Sequence, residues 1–298
     1  MSTRSLVMIA VLVSAPGCAQ RQRPPKPAPT HADVSYGDHE QQVFDLWLAE
    51  SDDPTPLVMF IHGGGFRGGS KDQVGGGIIS RYLAAGISVA AIEYRFVQHA
   101  KLPAAHEDCV RAVQTLRSHA DDYNLDTSRF AGFGGSAGAQ LVMYLAFHDD
   151  FADPDSDDPI ARESTRLVAV ATNGGQTTMD FDWWLANIPG YDKPHRDLTE
   201  YVDTTDADAL AALVADISAV EIVTDDDPPI WMSYGMSPDA EIPTEPGKSQ
   251  GWQVHHVAHG LLLQAKMNEL ELENDLHYPG AETKYGTREA FLIEKLTD

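Results

Sequence analysis

Two glycine-rich stretches hold the residues of this chain whose types and spacing suit covalent chemistry. The first, GFGGSAGAQ at 132–140, contains Gly134-Gly135-Ser136-Ala137-Gly138, a G-x-S-x-G in which every neighbour of the serine is small. That spacing suits a serine perched on a sharp strand-to-helix turn, with its hydroxyl free to attack a carbonyl carbon. The second, IHGGGFRGGS at 61–70, places His62 ahead of Gly63, Gly64 and Gly65. Bare backbone can approach an anion closely, so the amides of Gly63, Gly64 and Gly65, with that of Ala137, are candidates for an oxyanion hole. One such donor is worth roughly 2.7–4 kcal/mol of transition-state stabilisation. A phosphate loop is disfavoured because no G-K-[ST] follows; the order is Gly69-Ser70-Lys71. His62 reads as a brace for the loop.

The elements around these stretches alternate. VFDLWL (43–48) has the pattern of a half-exposed strand, and PLVMFIH (56–62) and ISVAAIEYR (87–95) read as strands covered on both faces. SRFAGFG (128–134), RLVAVATNGG (166–175), DPPIWMSYG (227–235) and NDLHYPG add further strands. Helical patterns lie between them: IISRYLAAG ending at Gly86, residues 103–123, 137–148, 255–271, and TREAFLIEKL. Strands alternating with helices predict a mostly parallel central sheet with helices on both faces, and ligands at the carboxyl ends of the strands. An aromatic, aperiodic segment at about 177–215 reads as a short cap-like insertion over that rim. Its Trp183 and Trp184 suit either a substrate pocket or the core.

With both glycine motifs in this order, the chain resembles the α/β-hydrolase superfamily. Within it, the similarity is to acetyl-xylan/feruloyl esterase-like and hormone-sensitive-lipase-like groups. The resemblance spans about residues 35–296 and includes EYRF (93–96), LPAAHEDCVRAVQTL (102–116) and DDPPIWM (226–232). It implies the α/β-hydrolase fold and cofactor-free ester hydrolysis, with Ser136 as nucleophile and a Gly63–Gly65 oxyanion loop. It says little about the acyl group or the alcohol.

Two departures from the family pattern fall on the remaining catalytic groups. The family acid sits in an H-G-x-x-D turn; here Tyr234 replaces the histidine, and Asp239 is the first carboxylate after Gly235, one residue late. Asp239 is the acid candidate, with surface Asp as the alternative. The family histidine aligns with Thr283 in YPGAETKYG (278–286), and threonine cannot act as a general base near neutral pH. One answer is a displaced base, His255 or His256 in VHHVAHG (254–260), since triads are defined by geometry and not by chain order. A second is His277 turning upward from the last strand, and His99 or His195 are further candidates. The third is no base at all, which would leave a catalytically impaired hydrolase that binds esters or glycans without turnover.

A formal charge of −24 excludes nucleic acid as a partner and disfavours strongly anionic substrates. The expected partner is a small-molecule or carbohydrate ester. Residues 1–17 read as an export signal, with one basic residue and an apolar run too short to span a bilayer. APGC resembles a lipoprotein cleavage box with Cys18 as the lipidated residue, although Ala15 stands where Leu is usual. The expectation is an exported protein, periplasmic or membrane-anchored, touching a membrane only through that lipid. Residues 18–32 read as a Pro-rich tether and 33–298 as one catalytic domain. Cys109 is left unpaired and reads as a buried thiol. His255 and His259 stand at i, i+4, but no H-E-x-x-H and no third ligand accompany them, so no metal is expected. DPDSDD (153–158) lacks the glycine of a calcium loop and reads as solvated.

Overall fold

The apolar runs form the middle of an eight-stranded sheet. In the computed structural model, which describes residues 25–245 and 247–298, the strands are β1 (His31–Ser35), β2 (Val43–Trp47), β3 (Thr55–Ile61) and β4 (Ser88–Ile92). They continue with β5 (Leu125–Gly135), β6 (Ala169–Asn173), β7 (Ile230–Ser233) and β8 (Asn274–His277). The order across the sheet is β1-β2-β4-β3-β5-β6-β7-β8. β2 runs antiparallel to both its neighbours, and the six strands from β4 to β8 are mutually parallel.

The helices are α1 (Gly76–Ala84), α2 (Ala104–Ser118), α3 (Ala120–Tyr123), α4 (Ala137–Phe147) and α5 (Phe181–Asn187). They continue with α6 (Ala207–Asp216), α7 (Ala219–Ile222), α8 (Lys248–Val254), α9 (Ala258–Glu269) and α10 (Arg288–Thr297). Alternation along β3 divides the core. Leu57, Met59 and Ile61 join the layer packed under α2, α4 and α9, while Val58 joins the layer under α1 and α10. A parallel sheet covered on both faces is what continuously apolar strands require. This is the α/β architecture expected from the sequence.

Several local expectations change. The half-exposed strand expected at 43–48 is buried through Trp47: Phe44 and Leu46 face one core layer, Trp47 the other, and β1 covers the flank. Its Asp45 survives burial because Lys71 Nζ and the Asp33 amide both donate to it. The tether expected over 18–32 ends sooner. β1 begins at His31, Trp47 Nε1 donates to the Pro27 carbonyl at 2.9 Å, and the Leu48 amide donates to Thr30 Oγ1 at 3.0 Å. Proline-rich backbone offers free carbonyls, and the buried indole N–H needs one. The long helix expected at 103–123 breaks at His119 into α2 and α3. Between β6 and β7 the connection runs over 174–229 with α5, α6 and α7, and the expected insertion at about 177–215 lies within it. Residues 1–17 and Cys18 lie outside the described residues.

Two buried histidines tie stability to pH. Burial lowers His106 to about 4 and, with the nearby His256 and His255, lowers His259 to about 3. An unfolded histidine titrates near 6.5, so below that pH the unfolded chain binds protons that the native state refuses. This contribution is therefore neutral above about pH 6.5 and increasingly destabilising as pH falls towards about 4. The two groups together should remove about 3–4 kcal/mol between pH 7 and pH 5, measurable by urea unfolding at each pH. Neither ring nitrogen of His259 has a partner among the described residues. His259→Phe should accordingly abolish about half of that pH-dependent loss.

Candidate active site

Ser136 sits between β5 and α4 with φ 53° and ψ −123°, a conformation that costs a non-glycine residue about 1–3 kcal/mol. Crowding explains the glycines two residues before and two residues after it. A Cβ on Gly138 would stand 2.1 Å from the Ile61 carbonyl oxygen, and one on Gly134 would stand 2.4 Å from that of Gly138. The turn is pinned on both sides: the Ser136 amide donates to the Asn173 carbonyl at 3.0 Å, and the Gln140 amide donates to the Ser136 carbonyl at 3.1 Å.

The Gly63–Gly65 loop lies directly on this turn. A Cβ on Gly63 would come within 2.6 Å of the Gly135 carbonyl oxygen and 3.4 Å of Ser136 Cβ. Gly64, at φ 120°, takes a backbone conformation that a side chain would resist. His62 is fully buried and braces the loop as expected, held between the Gly63 carbonyl (Nδ1, 2.7 Å) and the Glu93 carboxylate (Nε2, 3.1 Å). Burial would raise the Glu93 carboxyl, but hydrogen bonds from His62 and from the Lys71 amide outweigh it and hold it below its ordinary value. Gly65, Ser136 and Ala137 face one cleft, and Ala137 opens α4. Amides at a helix start are suited to meeting negative charge.

The imidazole that reaches Ser136 belongs to His255, whose Nε2 lies 3.0 Å from Ser136 Oγ. Its Nδ1 lies 2.7 Å from the Gly251 carbonyl, which can only accept, so Nδ1 carries the proton and Nε2 faces the serine as acceptor. The sequence pattern sets His255 at a helix start; in the structure it caps the end of α8, and its orienting carbonyl is four residues back in the same helix.

Other candidates are placed elsewhere. His256 is buried and turned away: its Nδ1 accepts from the Ala258 amide at 3.2 Å and its ring packs 4.5 Å from Trp252, so it serves the start of α9. Asp239 is exposed and makes no side-chain hydrogen bond or ion pair among the described residues, so the expected acid is not at His255. It lies beyond the end of β7 in a segment that returns to the site only through α8, where the backbone itself supplies the acceptor. His277 packs 4.6 Å from Trp231 and bonds Asp275 at 3.1 Å, a side-facing role. Thr283 is exposed, and its loop is tied down because Asp275 accepts from the Lys284 and Tyr285 amides. His195 lines the cleft, stacked on Trp184; burial first, then Arg196 and His255, lowers it to about 4. Among the described residues no cluster of three His, Cys, Asp or Glu could hold a metal, and Asp158 of the acidic loop pairs with Arg111. Cys109 is buried and free.

The sheet order, the turn at Ser136 and the glycine loop against it define an α/β-hydrolase scaffold. The chain belongs to the BD-FAE family of α/β-hydrolase esterases, whose family model matches residues 44–250. The matched span stops short of His255. Esterase LipC of Mycobacterium tuberculosis is 27% identical over 218 residues, which is 72% of this chain and 53% of that protein. An acetyl esterase of Salmonella schwarzengrund is 33% identical over 115 residues, 37% of this chain and 33% of its own length. The chain thus spans about half, or less, of these relatives. Among solved structures, a truncated carbohydrate esterase from gut microbiota matches with a TM-score of 0.69 at 20% identity, covering 93% of this chain and all of that one. An acetyl ester-xyloside bifunctional hydrolase from Caldicellulosiruptor lactoaceticus matches with a TM-score of 0.61 at 21% identity, covering 79% and 76%.

Two substitutions separate the residues that meet at Ser136 from those that do not. Gly63→Ala forces the loop off the Gly135 carbonyl and should lower p-nitrophenyl acetate hydrolysis by about 10²–10³-fold with circular dichroism unchanged. Asp239→Asn should alter neither that rate nor, beyond about 0.5 kcal/mol, the stability. A large loss of rate in Asp239→Asn would return that carboxylate to the site.

Proposed function

We propose that this chain is an exported serine carboxylic-ester hydrolase that cleaves acyl groups from carbohydrates or other small uncharged esters. The observation that carries the reading is the 3.0 Å approach of His255 Nε2 to Ser136 Oγ on a strained turn. Ser136 Oγ attacks the ester carbonyl as its proton passes to His255 Nε2. The Gly63–Gly65 and Ala137 amides receive the developing oxyanion. His255 then returns the proton to the departing alcohol oxygen, and a water repeats the sequence to release the acid.

In this reading the Gly251 carbonyl takes the place of the family carboxylate. It fixes the Nδ1–H tautomer and so turns the unprotonated Nε2 towards Ser136. The alternative, binding without turnover, assumed that no imidazole reaches the serine, and the His255 contact argues for turnover. Names carried by the similar structures favour carbohydrate esters as substrates. Export, with lipidation at Cys18, rests on the sequence pattern of residues 1–18.

Kinetics on p-nitrophenyl acetate distinguish the neighbouring histidines. Ser136→Ala and His255→Ala should each lose about 10⁴-fold or more in kcat, while His256→Ala should stay within about tenfold of the parent. Equal, slow hydrolysis by parent, Ser136→Ala and His255→Ala would sink the proposal.

A further inference from the structure

A cation lines the cleft at Ser136 with no carboxylate beside it. Arg196 comes from the β6–β7 connection and lies against the glycine loop, where a Cβ on Gly65 would meet Nη2 at 2.2 Å. Two contacts fix the guanidinium: Nη1 donates to the Gly65 carbonyl at 3.2 Å, and the Tyr201 ring centroid lies 5.1 Å away. Its Nε and Nη2 have no partner among the described residues, and Arg196 enters no ion pair there. Arg67, placed over the same tyrosine ring, is by contrast paired with Glu200 at 2.9 Å. The chain has 45 acidic residues, yet among the described residues no Asp or Glu lines this cleft.

His195 adds a second spare donor to the same lining. Tyr191 Oη accepts from the His195 amide at 3.0 Å and lies 2.8 Å from Nδ1. The phenol proton has no other acceptor among the described residues, so it goes to Nδ1 and leaves the ring proton on Nε2. Burial, then Arg196 and His255, lowers His195 to about 4, so the ring is neutral at neutral pH. Neither its Nε2–H nor the Tyr201 hydroxyl has a partner among the described residues, and both side chains line the cleft.

A guanidinium without a counter-ion and a spare imidazole N–H, set among Leu210, Leu213 and Val214, suit an acceptor that carries negative charge. Hydrogen bonds between ionised partners are about twice as strong as neutral ones, and apolar surroundings strengthen them further. The −24 charge repels strongly anionic substrates, but salt screens that field over about 8 Å, and at contact distance Arg196 dominates.

We infer that this cleft holds a carboxylate carried by the substrate, with Arg196 as the residue that selects it and His195 Nε2–H as a second donor. The inference rests on the ester-hydrolase reading and replaces its uncharged ester with one bearing a single acid group. In a carbohydrate ester that group belongs to an acidic sugar or to a dicarboxylic acyl chain.

Two matched pairs of esters test the inference, each differing only in carboxylate against carboxamide. On the acyl part the pair is the p-nitrophenyl monoester of adipate against that of adipamate; on the alcohol part it is p-acetoxybenzoate against p-acetoxybenzamide. With spontaneous hydrolysis subtracted, the carboxylate-to-carboxamide ratio of kcat/KM should fall about tenfold or more in Arg196→Gln for at least one pair. Arg196→Lys, which keeps the charge, should give an intermediate ratio. Both members of a pair are read on the same sample, so the folded fraction cancels. In a binding arm, adipate should shift the tryptophan fluorescence of Ser136→Ala, whose Trp184 lines the cleft, and adding Arg196→Gln should weaken that binding about tenfold. Ratios unmoved by Arg196→Gln in both pairs, or adipate bound equally with and without Arg196, overturn the inference while leaving ester hydrolysis intact. Arg196-dependent adipate binding with no ester turned over leaves the carboxylate site standing and removes the hydrolase reading instead.

Discussion

Three stretches of backbone meet at the carboxyl ends of β3 and β5 with no room for a Cβ between them. Gly138 lies against the Ile61 carbonyl, Gly134 against Gly138, and Gly63 against Gly135. This contact holds Ser136 in a conformation that it would not adopt alone, and it sets the glycine loop beside the hydroxyl. The strain is offset by the surrounding fold. β3 and β5 are adjacent parallel strands whose ends are aligned by the sheet register, and α4 is anchored in the core along its whole length. Beneath the loop, His62, Glu93 and Tyr94 form a buried brace, with the Tyr94 hydroxyl donating to the His62 carbonyl at 2.9 Å.

In the proposed mechanism the base is placed by a different logic. In the pattern that the sequence resembles, carboxylate and histidine come from separate loops after separate strands, and the sheet must bring both to the serine. Here one seven-residue helix supplies the pair: His255 caps α8, and the Gly251 carbonyl is its hydrogen-bond acceptor. A backbone carbonyl orients the ring without bringing a charge to be desolvated, a smaller electrostatic contribution than a carboxylate makes. The loop that would otherwise hold the histidine is organised around Asp275, with Tyr285 packed towards Phe291.

Much of this was legible in the sequence because it depends on local rules. The strand–GGSAG–helix succession and the HGGG stretch after a buried strand locate the turn and its loop without coordinates. The doublet His255-His256 could be named, but the choice between them could not. It turns on α8, a helix too short and too glycine-broken (KSQGWQV) to show a clear period, and on which side of its last turn each ring leaves. Asp239 comes close to the family spacing, but the acceptor at His255 is a main-chain oxygen, which leaves no mark in residue type. The insertion also escaped in part, because α5, α6 and α7 are short and their apolar residues face a cleft as well as the core. Burial of β2 was hidden by Asp45, a charge kept inside by Lys71.

On the proposed mechanism, placing the imidazole and its orienting group four residues apart on one helix relieves the far edge of the sheet of any part in proton transfer. The turn from Tyr278 to Gly286 then answers only to packing, and evolution or an engineer could lengthen, graft or open it without disturbing the reacting atoms.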